Sequence, residues 1–315
     1  AAASPPDGSR RSGQRSSKTP AFPGPPSLEK RPSGNNPGSN PRHSKEDRAK
    51  LLSVTASGRI TGAFESEAQR QEHLWCELGG EALEPSLRSG AIKLLRAGWI
   101  VQYAKSEGAV LSRRQELPDE AFIGLDDLMA AIEPQDQGLR VIVLSYGWTT
   151  PQHPDPLGAT LLRVADVLQH YVGTHGVFWD FGSLMQHSPL PDGPRRTAAE
   201  EVVFSEGLGA SGLLYAHQAT IVFRLTTWPA GYPEQYDLSG GANEAEYEDR
   251  GWCFSEMCSS ALTKPALNSL DLGKFSGTRL RLHGSNGIIA ECTQGVRRPP
   301  LLPEQFLSEL ASKTF

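Results

Sequence analysis

Cysteine is scarce in this chain of 315 residues: Cys76, Cys253, Cys258 and Cys292 are all it has. No paired disulfide framework stands out, and reduced thiols in the cytoplasm are expected. Cys253 and Cys258 would stand about 140° apart around a helix, so one metal ion does not easily take both. His153 and Asp155 fall in a proline-rich turn and His217 at a helix end, so no metal set is expected. Long apolar runs are missing too. None approaches about 18 residues, which gives no membrane span. Neither a Gly-x-Ser-x-Gly elbow nor a Walker loop is present. A basic surplus is confined to one end: residues 1–50 carry ten Lys/Arg against four Asp/Glu, and the remainder 21 against 32. An acidic body argues against specific nucleic-acid binding, and the basic end reads as a solvated arm.

What is present divides the chain in three. Residues 1–45 hold 23 Pro, Gly or Ser and almost no large apolar side chains. Such a segment buries too little surface to offset its ordering entropy and is expected to be a disordered tail. Residues 46–137 read as a mostly helical extension, with a helix over Ala91–Gly98 closed by its glycine and a short one over Asp126–Ile132. From 138 to 315 strands and helices alternate. Expected strands are Leu139–Tyr146, Gly176–Phe181, Ala219–Leu225 and Thr278–His283. Expected helices are Ala159–Val172, Thr197–His217, Gly251–Leu262 and Pro303–Ser312. The alternation predicts an α/β fold with a parallel sheet and helices on both faces. The chain stops soon after its closing helix, so a final element of the fold is expected to lie beyond it.

The run Arg250-Gly251-Trp252-Cys253-Phe254-Ser255-Glu256 carries the densest chemical signal. Trp252 and Glu256, four apart on a helix, share a face, and an apolar wall raises a carboxylate's pKa or aims it at a ligand. Two further motifs precede it in order: Leu144-Ser145-Tyr146 closing the first strand and Phe178-Trp179-Asp180 closing the second. Together with Tyr247 and the Arg250, Trp252 and Glu256 spacing, these residues make the stretch 139–262 resemble a Toll/interleukin-1 receptor (TIR) domain and the related fungal heterokaryon-incompatibility (HET) domain. The turn Gly147–Pro151 and the long loop Thr226–Asp249 depart from the TIR pattern, the loop being closer to HET-like proteins.

The resemblance implies a flavodoxin-like fold and a signalling role. In NAD-cleaving TIR domains the glutamate of the third motif is catalytic, and carried onto this chain it is Glu256. NAD(P) is then substrate and no resident cofactor is implied. Cleaving the nicotinamide–ribose bond builds an oxocarbenium-like centre that a carboxylate stabilises. Trp148 and Trp179 are candidates to stack on a base, Asp180 to supply a second carboxylate, and Tyr146, Arg250 and Trp252 to contact substrate. The loops 146–158 and 180–196 would form the pocket. The other implication is a non-enzymatic module that self-associates through those loops as a homo-oligomer.

Each signal also has a structural reading. Glu256 pairs with Arg250 or solvent; Trp252 and Cys253 fill core; Trp148 and Trp179 pack strand ends; Asp180 caps a turn. The match of Gly207–Gly212 to Gly-x-Gly-x-x-Gly lacks a strand directly before it. It reads better as part of one helix interrupted by glycines than as a dinucleotide loop.

Overall fold

The computed structural model describes residues 53–54, 60–61 and 66–315, except 172, 191, 242, 279–284 and 296–297. Residues 1–62 and 63–315 form separate units. In the first, strands β1 (Ser53–Val54) and β2 (Ile60–Thr61) pair antiparallel, Ser53 opposite Thr61. The tail expected over residues 1–45 lies outside the described residues.

The second unit is built on a six-stranded sheet with helices. Its centre is β5 (Val141–Tyr146), a β-branched run buried at all six positions. That is the pattern of a strand covered on both faces. β6 (Gly176–Phe178) and β7 (Ile221–Leu225) flank it in parallel, Ile142 opposite both Val177 and Ile221. β8 (Ser269–Asp271) continues beyond β7, also parallel. On the far side of β6 comes β3 (Leu94–Arg96), antiparallel to β6, and then β4 (Phe122–Ile123), antiparallel to β3. The order is β4-β3-β6-β5-β7-β8.

Helices α1 (Glu67–Glu77), α2 (Glu84–Arg88), α3 (Ala97–Tyr103) and α4 (Leu125–Ala130) precede β5. After it come α5 (Ala159–Leu168), α6 (Asp180–Ser183), α7 (Ala198–Ala216), α8 (Gly251–Thr263), α9 (Ser285–Cys292) and α10 (Pro303–Leu310). The two-residue period of β5 divides the core. Ile142, Leu144 and Tyr146 pack with Leu161, Val164 and Leu168 of α5. Val141 and Val143 pack with Trp75 of α1 and with Leu214 and Tyr215 of α7. Among the described residues no helix is long and apolar enough to cross a membrane.

Two expectations are corrected, and a third falls largely outside the described residues. The sheet is mixed, not parallel, because residues 63–137 are more than a helical extension: they add β3 and β4 to the β6 edge. Ala91–Gly98 is not a helix; Leu94–Arg96 is drawn into the sheet by pairing with β6, and α3 runs through Gly98. The fourth parallel strand is β8. The strand expected at Thr278–His283 falls almost wholly on residues outside those described.

Candidate active site

The site forms where β5 and β6 end. Ser145 and Tyr146 are adjacent on β5 and therefore leave it on opposite faces. Ser145, fully buried, donates to Glu256 Oε2 at 2.6 Å, and its Oγ lies 2.6 Å from the Tyr247 hydroxyl. Tyr146 donates to Asp180 Oδ1 at 2.7 Å and accepts from Trp179 Nε1 at 2.9 Å. Asp180 also accepts from Trp148 Nε1 at 2.9 Å and from the Phe181 amide at 2.7 Å.

Tyr146, Trp148, Asp180, Tyr215, Trp252 and Glu256 are among the residues that line a cavity of about 440 Å³. Glu256 is packed round by protein but keeps part of its surface on the cavity. Burial pushes its carboxyl up to about 8, repulsion from Asp180 adds to the rise, and the hydrogen bond from Ser145 opposes it. The Tyr215 hydroxyl gives its one hydrogen to the Leu144 carbonyl at 2.8 Å. Asp180 is raised as well, because burial outweighs its donors Tyr146, Trp148 and the Phe181 amide. Two carboxylates that burial favours in the neutral form therefore line one cavity, a pairing that suits acid–base work.

Arg250 does not pair with Glu256. Its Nη1 donates to the Trp148 carbonyl at 2.9 Å and its Nε to the Ala245 carbonyl at 3.0 Å. The guanidinium lies 4.4 Å over the Trp228 ring, which stacks on Tyr232. Arg250 thus ties the loop after β5 to the loop after β7, and burial lowers its pKa. It also lines the cavity.

The other candidates divide. Trp148 lines the cavity while fixing Asp180. Trp179 does not line it: the ring is fully buried, edge-on to Tyr146, and acts through that hydroxyl. Trp252 is not core; 49 % exposed, it stands at the rim with Phe315 edge-on at 6.3 Å. Cys253 is buried beside it, and burial raises its thiol well above the usual range.

Two contributors carried weaker signals. Ser145 is the small polar residue of an otherwise apolar strand, and Tyr247 stands just before the Arg250 motif. Tyr215 and the final residues gave none. Gly251 N donates to the Thr314 carbonyl at 2.8 Å, and Thr314 N to the Asp249 carbonyl at 3.0 Å. Lys313 pairs with Asp249 at 2.9 Å. A Cβ at Gly251 would stand 2.1 Å from the Phe315 ring, so glycine lets the last residues close over the start of α8.

The remaining sequence signals are structural. His153 Nε2 meets the Leu111 carbonyl at 3.1 Å, and Asp155 Oδ2 accepts from the Leu161 amide at 2.8 Å, capping α5. Gly207–Gly212 lies inside α7, a continuous helix opened by the Thr197 and Glu200 capping box, so it forms no phosphate-binding turn. Among the described residues no group of three or more His, Cys, Asp or Glu is placed to hold a metal ion. Compared with models of known families, with curated proteins and with solved structures, the chain matches none.

Proposed function

We propose that residues 138–315 carry a TIR/HET-like signalling domain of flavodoxin-like topology that hydrolyses the nicotinamide–ribose bond of NAD(P), with Glu256 as the working carboxylate. The order of the parallel strands supports the fold. Taken in chain order, β6-β5-β7-β8 is second-first-third-fourth, as in flavodoxin-like sheets, which bind ligands beyond the carboxyl ends of the strands.

The observation that carries the enzymatic reading is Glu256 opening on the cavity near Asp180 and Tyr146 instead of being sealed by Arg250. Among the described residues no Lys or Arg forms an ion pair with Glu256. A buried carboxyl in that state favours a cationic ligand, whose charge promotes its ionisation. The oxidised nicotinamide ring supplies such a charge. When the ribose–nitrogen bond breaks, its electron pair goes to the ring, which leaves neutral, and the positive charge passes to the ribose. Ionised Glu256 stabilises that charge and takes a proton from the attacking water. Trp148 and the rim ring of Trp252 offer stacking faces. Homotypic association through the 180–196 loop has thinner support. Leu190 is its exposed large apolar residue among those described, and single exposures of this kind are ordinary.

The test is nicotinamide release from NAD by the purified full chain beside Glu256→Gln. Release should fall by about a hundredfold or more in the variant. In the parent, kcat/KM should rise with pH towards about 8 as Glu256 ionises. Equal release by both proteins would refute the assignment. A folded, self-associated and inactive parent would move the weight to the association module.

A further inference from the structure

Glu256 meets two hydroxyls in series. When Glu256 is ionised its carboxylate has no hydrogen to give, so the single hydrogen of Ser145 goes to Oε2 at 2.6 Å. The 2.6 Å contact between Ser145 Oγ and Tyr247 OH therefore has Tyr247 as donor, because Ser145 has no second hydrogen to give. Both residues are more than nine-tenths buried and come from different elements, β5 and the turn Tyr247–Asp249 ahead of α8.

We propose that Ser145 and Tyr247 are positioning residues that reserve Oε2 of Glu256 as a hydrogen-bond acceptor, so that the exchangeable proton of this carboxyl resides on Oε1. A carboxyl has one hydrogen, and an oxygen already receiving a short bond from a fixed donor is the poorer place to hold it. Tyr247 acts only through Ser145, by occupying the lone pair that would otherwise let the serine hydroxyl turn away. The pair thereby fixes which atom collects the proton in the proposed hydrolysis. It holds the ionised carboxylate ready without bringing in a cation that would compete with a positively charged ligand. The other groups facing this carboxyl are Asp180 from α6, Tyr215 from α7 and Cys253 one turn back on α8, with Arg224 of β7 acting on Tyr247. None of them supplies a second donor to Ser145 among the hydrogen bonds of the described residues.

The inference rests on Glu256 being the working carboxylate for its catalytic meaning, but its test needs no turnover. The carboxylic-acid stretching band of Glu256, isolated by subtracting the Glu256→Gln spectrum, is followed against pH by infrared difference spectroscopy. Ser145→Ala removes the donor to the ionised form and should raise the Glu256 pKa by about one unit, and Tyr247→Phe by about half of that. In the double variant the shift should equal that of Ser145→Ala alone, because Tyr247 has no route of its own to the carboxyl. Tyr247→Phe removes one oxygen only and serves where Ser145→Ala fails to fold. Unchanged titration in Tyr247→Phe, a downward shift, or additive shifts in the double variant would overturn the inference. A parent that titrates as described without releasing nicotinamide would leave the two-hydroxyl arrangement standing and defeat the hydrolase reading.

Discussion

A carboxyl held up near pH 8 in the folded protein makes stability depend on pH through one residue. Below the usual 4.5 Glu256 is protonated folded or unfolded, and it contributes no slope. Between 4.5 and about 8 the unfolded chain has lost the proton while the folded one keeps it, so stability falls as pH rises, and above about 8 the loss is complete. Glu256→Gln should therefore be more stable than the parent at pH 8.5, by an amount on the order of a few kcal/mol, with little difference at pH 4.5. Urea unfolding at the two values measures it, and a parallel pH dependence in both proteins would contradict it. At the residue scale, which side chains come together was partly legible in the sequence. Tyr146, Trp148, Asp180 and Glu256 do line one cavity. The orientation of the rings was not legible. Spacing puts Trp252 and Glu256 on one side of α8 but does not say how far round that helix the solvent comes. An aromatic at a strand end gives no sign of whether it faces a cavity, as Trp148 does, or the core, as Trp179 does.

At the scale of elements the glycines of α7 separate packing from propensity. A Cβ at Gly207 would stand 2.5 Å from the Ala91 carbonyl oxygen and 2.7 Å from Leu184 Cδ2, whereas at Gly209 and Gly212 nothing lies within 4 Å. Alanine at either open position should raise stability by about 0.5–1 kcal/mol, since helix-interior glycine costs that much. Gly207→Ala should lower it, because the carbonyl in its way belongs to the backbone. Thermal melts of the three variants check the set, and a stabilising Gly207→Ala would show that α7 is free to shift. Long periodic elements such as α5, α7 and α8 were legible because their apolar spacing repeats over several turns. β3 and β8, of three residues each, were not. A run that short holds no period of its own, and Leu94–Arg96 takes its conformation from β6 alongside.

For the molecule as a whole, the missed edge strands change what counts as the folding unit. β3 pairs along β6, and Arg114, from the same preceding region, donates to the carbonyls of Ala91 and Ser183 at 2.9 and 3.1 Å. A chain beginning at residue 138 would leave the β6 edge unpaired and Ser183 without that donor. It should aggregate or lack a cooperative melt, while a chain beginning at residue 63 melts cooperatively. Circular dichroism and sedimentation of the two compare them directly, and a monomeric, cooperatively melting 138–315 would show the edge strands to be dispensable. The closing residues have a practical consequence of their own. Because Thr314 and Phe315 help to wall the Glu256 cavity, any polypeptide joined after Phe315 leaves the surface at its lip. An affinity handle or fluorescent fusion placed directly after Phe315 would stand in the doorway, so the nicotinamide assay calls for protein without one there.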